Sequence, residues 1–449
     1  MSSTQPRADQ DATNERGQRQ PSRQREGEHI SDRIHILGLG AIGKLIAHSL
    51  RGIPQSPPVT LLTHRRGLFG EWTNGNKEIV IEQDGRRQGE RKFDMELALS
   101  PQRFHGLGIE HLEYLFNNPE GLSPHDAAAR LKQDRGDEVG NYDPSDFSLG
   151  RELDRSESDE PIYNLIVTVK AHLTVSALLA VRHRLRPESA ICFLQNGMGI
   201  IDQVNDFVFP DPKTRPHYIQ GIVSHGVNSP AGSDPFFAIH AGRGTIALTV
   251  LPRTDRPETD ISAPVPHSPS ARYLMRTLTR TPILAAIGVP HVEFLQQKLE
   301  KLAQNAVVNP MTVLLDARNG ALNYNFALTK VTRLLLGEVS LILRSLPELQ
   351  GLPNLATRFS PERLETLVVA IATKTERNIS SMLADVRNGR ATEVKYINGY
   401  IVKRGEELGV SCLCNYLVMQ TVIGKAKMVG DERRDALLTE APGDLPGQG

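Results

Sequence analysis

The sequence predicts an α/β fold: an N-terminal α/β domain followed by an all-helical C-terminal domain, with a cleft between them. Three observations carry this. A short apolar run, Ile34 to Leu37, leads straight into Gly38-Leu39-Gly40-Ala41-Ile42-Gly43, and a helical apolar face follows it. Further apolar runs of strand length end at Thr63, Lys170 and Leu194, with helical patterning after the second. From about Ala271 onward the apolar spacing is helical throughout.

Residues 1–31 are rich in Gln, Arg, Ser, Asp and Glu and nearly free of large apolar groups, so burial cannot repay the entropy of ordering them. A disordered tail is expected. Order begins at Arg33. Behind the glycine turn, Ile42, Leu45, Ile46 and Leu50 mark a helix face that Gly52 closes. A strand running through G-x-G-x-x-G into a helix is the dinucleotide fingerprint of a Rossmann-type domain. Gly38 permits the tight turn, Gly40 lets a pyrophosphate approach the backbone, and Gly43 lets the helix lie close to the strand. The N-terminal helix dipole then faces the phosphates. The strand Val59–Thr63 ends in His64-Arg65-Arg66, where an NAD-selective site would place an acid for the ribose hydroxyl. Arginine suits a 2′-phosphate instead, so the expected cofactor is NADPH, with Arg65 the first choice and Arg66 its neighbour.

Residues from about 83 to 160 are polar and charged, and a connection of that length is most economically an insertion, with some helix around 111–116 and 124–132. A strand over 162–169 ends in Lys170. A helix through 173–185 and a strand over 189–194 follow, the latter running into Gln195-Asn196-Gly197-Met198-Gly199. Lys170 and Asn196 therefore stand at carboxyl ends of strands, where open α/β sheets bind ligands. Asn196-Gly197 is also a turn dipeptide. Residues 246–251 read as a strand and 252–270, with five prolines, as a loop closing a domain of 32–270. A helical domain of 271–428 and a flexible tail of 429–449 complete the chain. Within it, the apolar period from Leu364 to Val386 predicts one long helix carrying Asn378 and Ser381. A second helix begins near Thr392 as N-cap, with Glu393 in its first turn, and stops at Gly409.

Composition narrows the function. The chain has 449 residues, enough for two or three domains, and 52 basic against 52 acidic side chains. There is thus no basic excess to attract nucleic acid or a membrane surface, which favours a small-molecule partner. Cys192, Cys412 and Cys414 form neither a disulfide framework nor a zinc site, so no metal is expected and the thiols read as reduced and intracellular. No apolar run is long enough to span a bilayer and no secretory leader is visible, which predicts a soluble, cytoplasmic protein. Arg7, Arg16, Arg19, Arg23 and Arg25 make mitochondrial import the alternative, against which five nearby acids argue. Oligomeric state is left open.

Lys301, Asn305 and Asn309 in KLAQNAVVNP recur every four residues. At roughly 100° per residue they fall within about 80° of one another, opposite Leu299, Leu302, Ala303, Ala306 and Val307. One ammonium and two amides on one face could grip a small polar substrate, and spacing alone fits a solvated face equally. Pro310 disfavours helical geometry at Asn309 and is expected to end or kink the helix there.

The separated motifs agree with one family. GLGAIG at 38–43, TVKA at 168–171, QNGMG at 195–199, KLAQNAVVNP at 301–310, NG at 319–320, NISSML at 378–383 and TEVKYINGY at 392–400 resemble ketopantoate reductase, over the chain from about 33 to 425. The resemblance implies NADPH-dependent reduction of 2-dehydropantoate to pantoate in pantothenate and coenzyme A biosynthesis. It implies that Lys301 is the general acid and that Glu393 lies at the junction of cofactor and substrate, facing either Lys301 or the ribose. Asn196, Asn305, Asn309, Asn319, Asn378 and Ser381 are implied as the substrate shell. Gly38 to Gly43, Arg65, Lys170, Asn196 and Glu393 are implied as the cofactor contacts. A regulatory relative without catalysis, or a reductase of another branched 2-oxo acid, are the competing expectations. The tail, the insertion and the Pro-rich loop depart from the family pattern without removing a motif residue.

Overall fold

A computed structural model describes residues 31–98, 158–230, 232–252 and 268–439, with side chains to 433. The expected N-terminal tail, the helices expected near 111–116 and 124–132, and most of the Pro-rich loop lie outside the described residues. Elements are numbered over the described residues.

The N-terminal part is a Rossmann-type sheet of eight strands in the order β12-β11-β8-β7-β6-β1-β2-β5. These are β1 Ile34–Leu37, β2 Val59–Thr63, β5 Phe93–Leu97, β6 Ile162–Val167, β7 Leu185–Phe193, β8 His217–Val223, β11 Ile246–Val250 and β12 Ala286–Gly288. All neighbours are parallel except the pair β8 and β11. Chain order runs outward from β1 to β2 on one side and resumes with β6 on the other, so the topological switch point lies between β1 and β6. Ile34, Ile36 and Leu37 are all buried, as expected of a strand covered on both faces. Each such side chain stabilises by roughly 1.5–3 kcal/mol relative to exposure.

Helix α1 (Ala41–Arg51) covers β1, and α2 (Arg66–Asn74) follows β2. Lys44 of α1 donates to the carbonyls of Pro235 and Phe237, at 3.0 and 2.8 Å, and so ties the helix to a second sheet. That sheet has the order β4-β3-β10-β9, from β3 Ile79–Gln83, β4 Arg86–Glu90, β9 Gly226–Asn228 and β10 Phe237–Gly242. The polar insertion thus starts later than residue 83. Asp84 and Gly85, with φ of 51° and 75°, make a tight hairpin between β3 and β4, and β5 returns to the eight-stranded sheet beside β2 before residue 98. β4 is exposed along most of its length, so no alternation of apolar and polar residues announces it.

The segment after the glycine-free strand end at Lys170 is shorter in helix than expected. A 3₁₀ turn over Ala171–Leu173 precedes α3 (Thr174–Val181), and β7 already begins at Leu185. Helix α4 (Ile200–Phe207) follows β7. The change to all-helical structure also comes later than residue 271. Ala271, Leu274 and Leu278 of α5 (Pro269–Thr279) share a buried cluster with Ile34 and Ile36, and β12 pairs with β11, so this stretch covers and extends the sheet.

The helical part starts at His291. It contains α6 (His291–Leu315), α7 (Phe326–Ser345), α8 (Pro361–Lys374), α9 (Ser381–Arg387), α10 (Val394–Glu407) and α11 (Leu413–Thr439) around one apolar cluster that includes Leu299, Leu302, Ala306, Val339, Leu364 and Ile401. Helix α11 passes residue 428, where a tail was expected.

Three local expectations are corrected here. α6 runs through Pro310 to Leu315 without ending. Proline offers no N–H to the carbonyl four residues back. The Ala306 carbonyl instead accepts from Asn398 Nδ2 of α10 at 2.9 Å, a replacement for the missing bond. The helix expected from Leu364 to Val386 is two helices. Between them the carbonyls of Glu376 and Asn378 accept from the backbone N–H groups of Gly320 and Asn319, at 3.1 and 2.9 Å. The Ser380 hydroxyl then accepts from Leu383 N–H and starts α9. Finally, Glu393 rather than Thr392 is the N-cap residue of α10, and its side chain makes no cap bond because it turns elsewhere.

Candidate active site

The loop after β7 and the end of β8 meet α6 through Lys301, and the turn after β6 meets the start of α10 through Glu393. Gly38 has φ of 107°, and a Cβ there would meet Val169 atoms at 2.7 and 2.8 Å. A Cβ on Gly43 would meet the Gly38 carbonyl oxygen at 2.1 Å and Thr168 Oγ1 at 2.7 Å. Both glycines are therefore demanded by the protein's own packing of β1, α1 and β6. Gly40 differs, since nothing lies within 4 Å of where its Cβ would stand. Gly40 is also the N-cap of α1 and no side chain caps the first-turn N–H groups. An open space before an uncapped helix start fits a pyrophosphate, which would lie against Leu39, Gly40, Ala41 and Ile42. Arg65 and Arg66 stand exposed at the end of β2, Arg65 as the N-cap of α2. Arg65 is close enough to Lys44 for its charge to help draw the Lys44 pKa down, burial being the larger cause, to about 8.

Lys301 reaches from α6 to the sheet. Its Nζ donates to Asn196 Oδ1 at 3.0 Å, in the loop after β7, and to the Val223 carbonyl at the end of β8 at 2.6 Å. Both acceptors are neutral. Burial lowers the Lys301 pKa to about 8, with Glu393 pulling partly the other way. Asn196 is thus both a turn residue and a partner of Lys301. Gly197 has φ of 83°, and a Cβ on it would strike the Tyr396 carbonyl at 2.6 Å, so the turn docks directly on α10. Asn196, Gly197, Gly221, Lys298, Lys301 and Asn305 line one partly open depression, whose innermost part has room for about one water. Asn305 is therefore beside Lys301, as its spacing predicts.

Glu393 is 5% exposed. Its Oε1 accepts from Ala171 N–H at 3.1 Å and its Oε2 is 3.8 Å from Lys170 Nζ. Among protein groups it contacts the Lys170 turn rather than Lys301, although its charge reaches Lys301. Lys170 also donates to Asp385 Oδ2 of α9 at 2.6 Å. Burial opposes the Lys170 charge, but Glu393 and then Asp385 outweigh it and hold the pKa above the ordinary lysine value.

The remaining residues of the implied substrate shell do not line the space beside Lys301: Asn309 is further along α6, Asn319 and Asn378 are in the paired turns after α6 and before α9, and Ser381 opens α9. Asn309 is buried on α6 one turn beyond Asn305. Asn319 Nδ2 donates to Thr375 Oγ1 at 2.9 Å, and its backbone N–H bonds the Asn378 carbonyl, so these two asparagines are joined to each other. The Asn319 Oδ1 is buried with no hydrogen bond. Asn378 and Ser381 are exposed, and they flank the start of α9 rather than sharing a helix face. Ser380, not Ser381, is the buried serine, accepting from Thr312 Oγ1 at 2.7 Å.

Two residues at this site escaped sequence reasoning. Asp385 lies one helical turn after Ser381, and Lys298 one turn before Lys301, so the same spacing that singled out their neighbours pointed to both. Among the described residues no group of three or more His, Cys, Asp or Glu could hold a metal ion, and no helix is long and apolar enough to cross a membrane.

Known proteins resemble this arrangement in sequence and fold. Residues 124–253 match the family model described as "Ketopantoate reductase PanE/ApbA" and residues 293–426 the one described as "Ketopantoate reductase PanE/ApbA C terminal", together more than half of the chain. A "Probable 2-dehydropantoate 2-reductase" of Schizosaccharomyces pombe is 26% identical over 392 residues, 87% of this chain and 95% of that protein. The "Ketoisovalerate reductase BEA2" of Gibberella fujikuroi is 25% identical over 412 residues, 84% of this chain and 79% of that protein. Among solved structures, the "Probable 2-dehydropantoate 2-reductase panE" of Bacillus subtilis superposes with a TM-score of 0.56 at 21% identity, over 88% of this chain and 99% of that one. A fold that joins a Rossmann-type sheet to a helical domain, with matches to both halves, places this chain in the ketopantoate reductase family of oxidoreductases.

Proposed function

We propose that this chain reduces 2-dehydropantoate to pantoate with NADPH, in pantothenate and coenzyme A biosynthesis, and that Lys301 donates the proton. One observation carries the reading: the Lys301 ammonium is suspended between two neutral oxygens, Asn196 Oδ1 and the Val223 carbonyl, at the carboxyl edge of the sheet. An acid with pKa near 8 is well matched to protonating an oxygen at neutral pH. Names of relatives from Schizosaccharomyces pombe and Saccharomyces cerevisiae support the substrate.

NADPH would lie against the glycine turn and Arg65, and when bound it supplies the hydride. The chain's own residues do the rest. The C2 carbonyl oxygen gains negative charge as its carbon is reduced, and Lys301 Nζ stabilises that charge and then transfers its proton, leaving an alcohol and a neutral amine. Asn196 and the Val223 carbonyl aim the ammonium. Asn305 and Asn309, with Asn319, Asn378 and Ser381, offer amides and hydroxyl to the rest of the substrate without adding charge. Lys170, held by Glu393 and Asp385, fixes the sheet edge to the helical part beside the nicotinamide ribose. Arg65 is assigned the 2′-phosphate, which an arginine clamps by charge-assisted hydrogen bonds.

The test is NADPH oxidation by purified protein with 2-dehydropantoate, run beside NADH. Turnover that prefers NADPH is expected, and tight NADPH binding with no 2-oxo acid reduced would favour the non-catalytic reading. The ketoisovalerate reductases among the relatives support a second substrate. Ketoisovalerate lacks the hydroxymethyl group of 2-dehydropantoate, so the ratio of kcat/KM for the two measures how much the site gains from that group.

A further inference from the structure

We infer that Lys298 is a second cation of the substrate pocket and binds the carboxylate of the 2-oxo acid. The inference rests on reading this pocket as a 2-oxo-acid site, and it adds a recognition residue to it.

Lys298 and Lys301 are three residues apart on α6 and line the same partly open depression with Asn196, Gly221 and Asn305. Lys298 is only 6% exposed. Its one described contact of note is with the Phe294 ring, whose centroid is 5.9 Å from Nζ, and among the described residues it has no hydrogen bond or ion pair. The nearby acids are committed. Glu300 bonds Arg358 and Arg363 at 2.8 and 2.7 Å, Glu393 bonds the Lys170 turn, and Asp385 bonds Lys170 and Arg390.

A buried ammonium without a carboxylate is costly, and a leucine or methionine would fill the same volume without that cost. Packing therefore does not account for the residue. A ligand that brings a negative charge does. Burial, and then the neighbouring Lys301 charge, draws the Lys298 pKa down to about 7, which is what an ammonium waiting for its counter-ion shows.

The geometry fits the chemistry of a 2-oxo acid. Its carboxylate is attached to the carbon that carries the reacting carbonyl, so the two groups are adjacent. Side chains three residues apart on a helix have Cβ atoms about 5–6 Å from each other. Lys301 on the carbonyl and Lys298 on the carboxylate would thus grip neighbouring oxygens from one helix face. Recognition then needs a free carboxylate, and an ester of the same acid would lose it.

Lys298→Met and Lys298→Gln remove the charge and Lys298→Arg keeps it. The direct probe is oxamate, an unreactive 2-oxo-acid mimic, titrated calorimetrically into protein saturated with NADP⁺. The expected result is binding weakened about 10- to 100-fold in the methionine and glutamine variants and largely kept in the arginine variant, the range for a charge-assisted hydrogen bond. In turnover, KM for 2-dehydropantoate should rise by a similar factor while reduction of its methyl ester changes less than about twofold, with kcat for the acid falling much less than KM rises. NADPH affinity and the thermal midpoint should not fall. Oxamate binding that is absent in the wild type or equal in the charge-removed variants, or equal losses for acid and ester, overturns the inference. If the wild type binds oxamate through Lys298 yet reduces no 2-oxo acid, the carboxylate site stands and the proposed reaction fails.

Discussion

Raising the pH from 6 to 10 tests the proposed role of Lys301. Burial among neutral partners lowers its pKa from 10.5 to about 8, so keeping the ammonium charged costs roughly 3 kcal/mol relative to water. A proton donor with that pKa is fully loaded at pH 6 and empties tenfold per unit above 8. At pH 9.5 kcat/KM should be about 30-fold below its plateau, whereas an ordinary lysine would have lost about a tenth. The parameter to follow is kcat/KM, because the pKa of about 8 belongs to the protein without cofactor or substrate, and the Lys298→Gln background removes the other buried lysine from the profile. Protein stability does not mimic the effect. The unfolded chain binds the extra proton between pH 8 and 10.5, so this group makes the fold more stable, not less, as pH rises through that window. Lys301→Ala should lower kcat by about 10²–10⁴, abolish the alkaline limb and leave the NADPH dissociation constant within about twofold. A limb above pH 10 in the wild type, or an alanine variant within tenfold of it, refutes the assignment.

Arg65→Gln should raise KM for NADPH by about 10- to 100-fold and leave NADH kinetics unchanged, and Arg66→Gln in the same assay shows which guanidinium holds the 2′-phosphate; equal losses with both cofactors would sink the assignment. Gly38→Ala should destabilise the fold by at least about 2 kcal/mol in a denaturant titration, because it combines φ of 107° with a Val169 contact at 2.7 Å. Gly40→Ala, with open space around it, should move the midpoint by less than about 0.5 kcal/mol and weaken NADPH binding. Asn398→Ala strips the bond that replaces the one lost at Pro310 and leaves the Ala306 carbonyl buried, at a cost of about 1–3 kcal/mol; a change below about 0.5 would show that the helix does not need that bond.

What the sequence disclosed depended on whether a local period carried the information. β1, the glycine turn and α1 are legible because Ile34, Ile36, Leu37, Leu45, Ile46 and Leu50 are apolar where the fold is buried, although His35, Lys44, His48 and Ser49 are buried with them. The hairpin β3–β4 is not, since most of β4 faces solvent and only Asp84-Gly85 signals it. The Lys301–Asn305–Asn309 stripe follows from helical spacing, but its continuity past Pro310 depends on Asn398, which is nearly a hundred residues away. The break between α8 and α9 has the same origin: the turn at Asn319-Gly320 captures the carbonyls of Glu376 and Asn378, and a Cβ on Gly320 would collide with Glu376 at 2.7 Å. Asp385 is a third case, meaningful only once Lys170 is beside it. Local spacing placed side chains on faces, and tertiary partners decided which face met which.

The division of charge across the cleft separates two lysines that resemble each other in sequence. Both Lys170 and Lys301 leave one layer of the fold and end at the other, and both are partly buried. Two carboxylates, Glu393 and Asp385, contact Lys170, whereas among the described residues the hydrogen-bond partners of Lys301 are an amide oxygen and a peptide carbonyl. The first lysine is therefore locked in its charged form, suited to holding position, and the second is poised to lose a proton near neutral pH. Exchanging those surroundings would exchange those roles, because the pKa difference comes from the partners and not from the side chain. Glu393 touches the first lysine and acts on the second only through its field, so it sets how far the Lys301 pKa can fall without quenching its acidity by direct pairing.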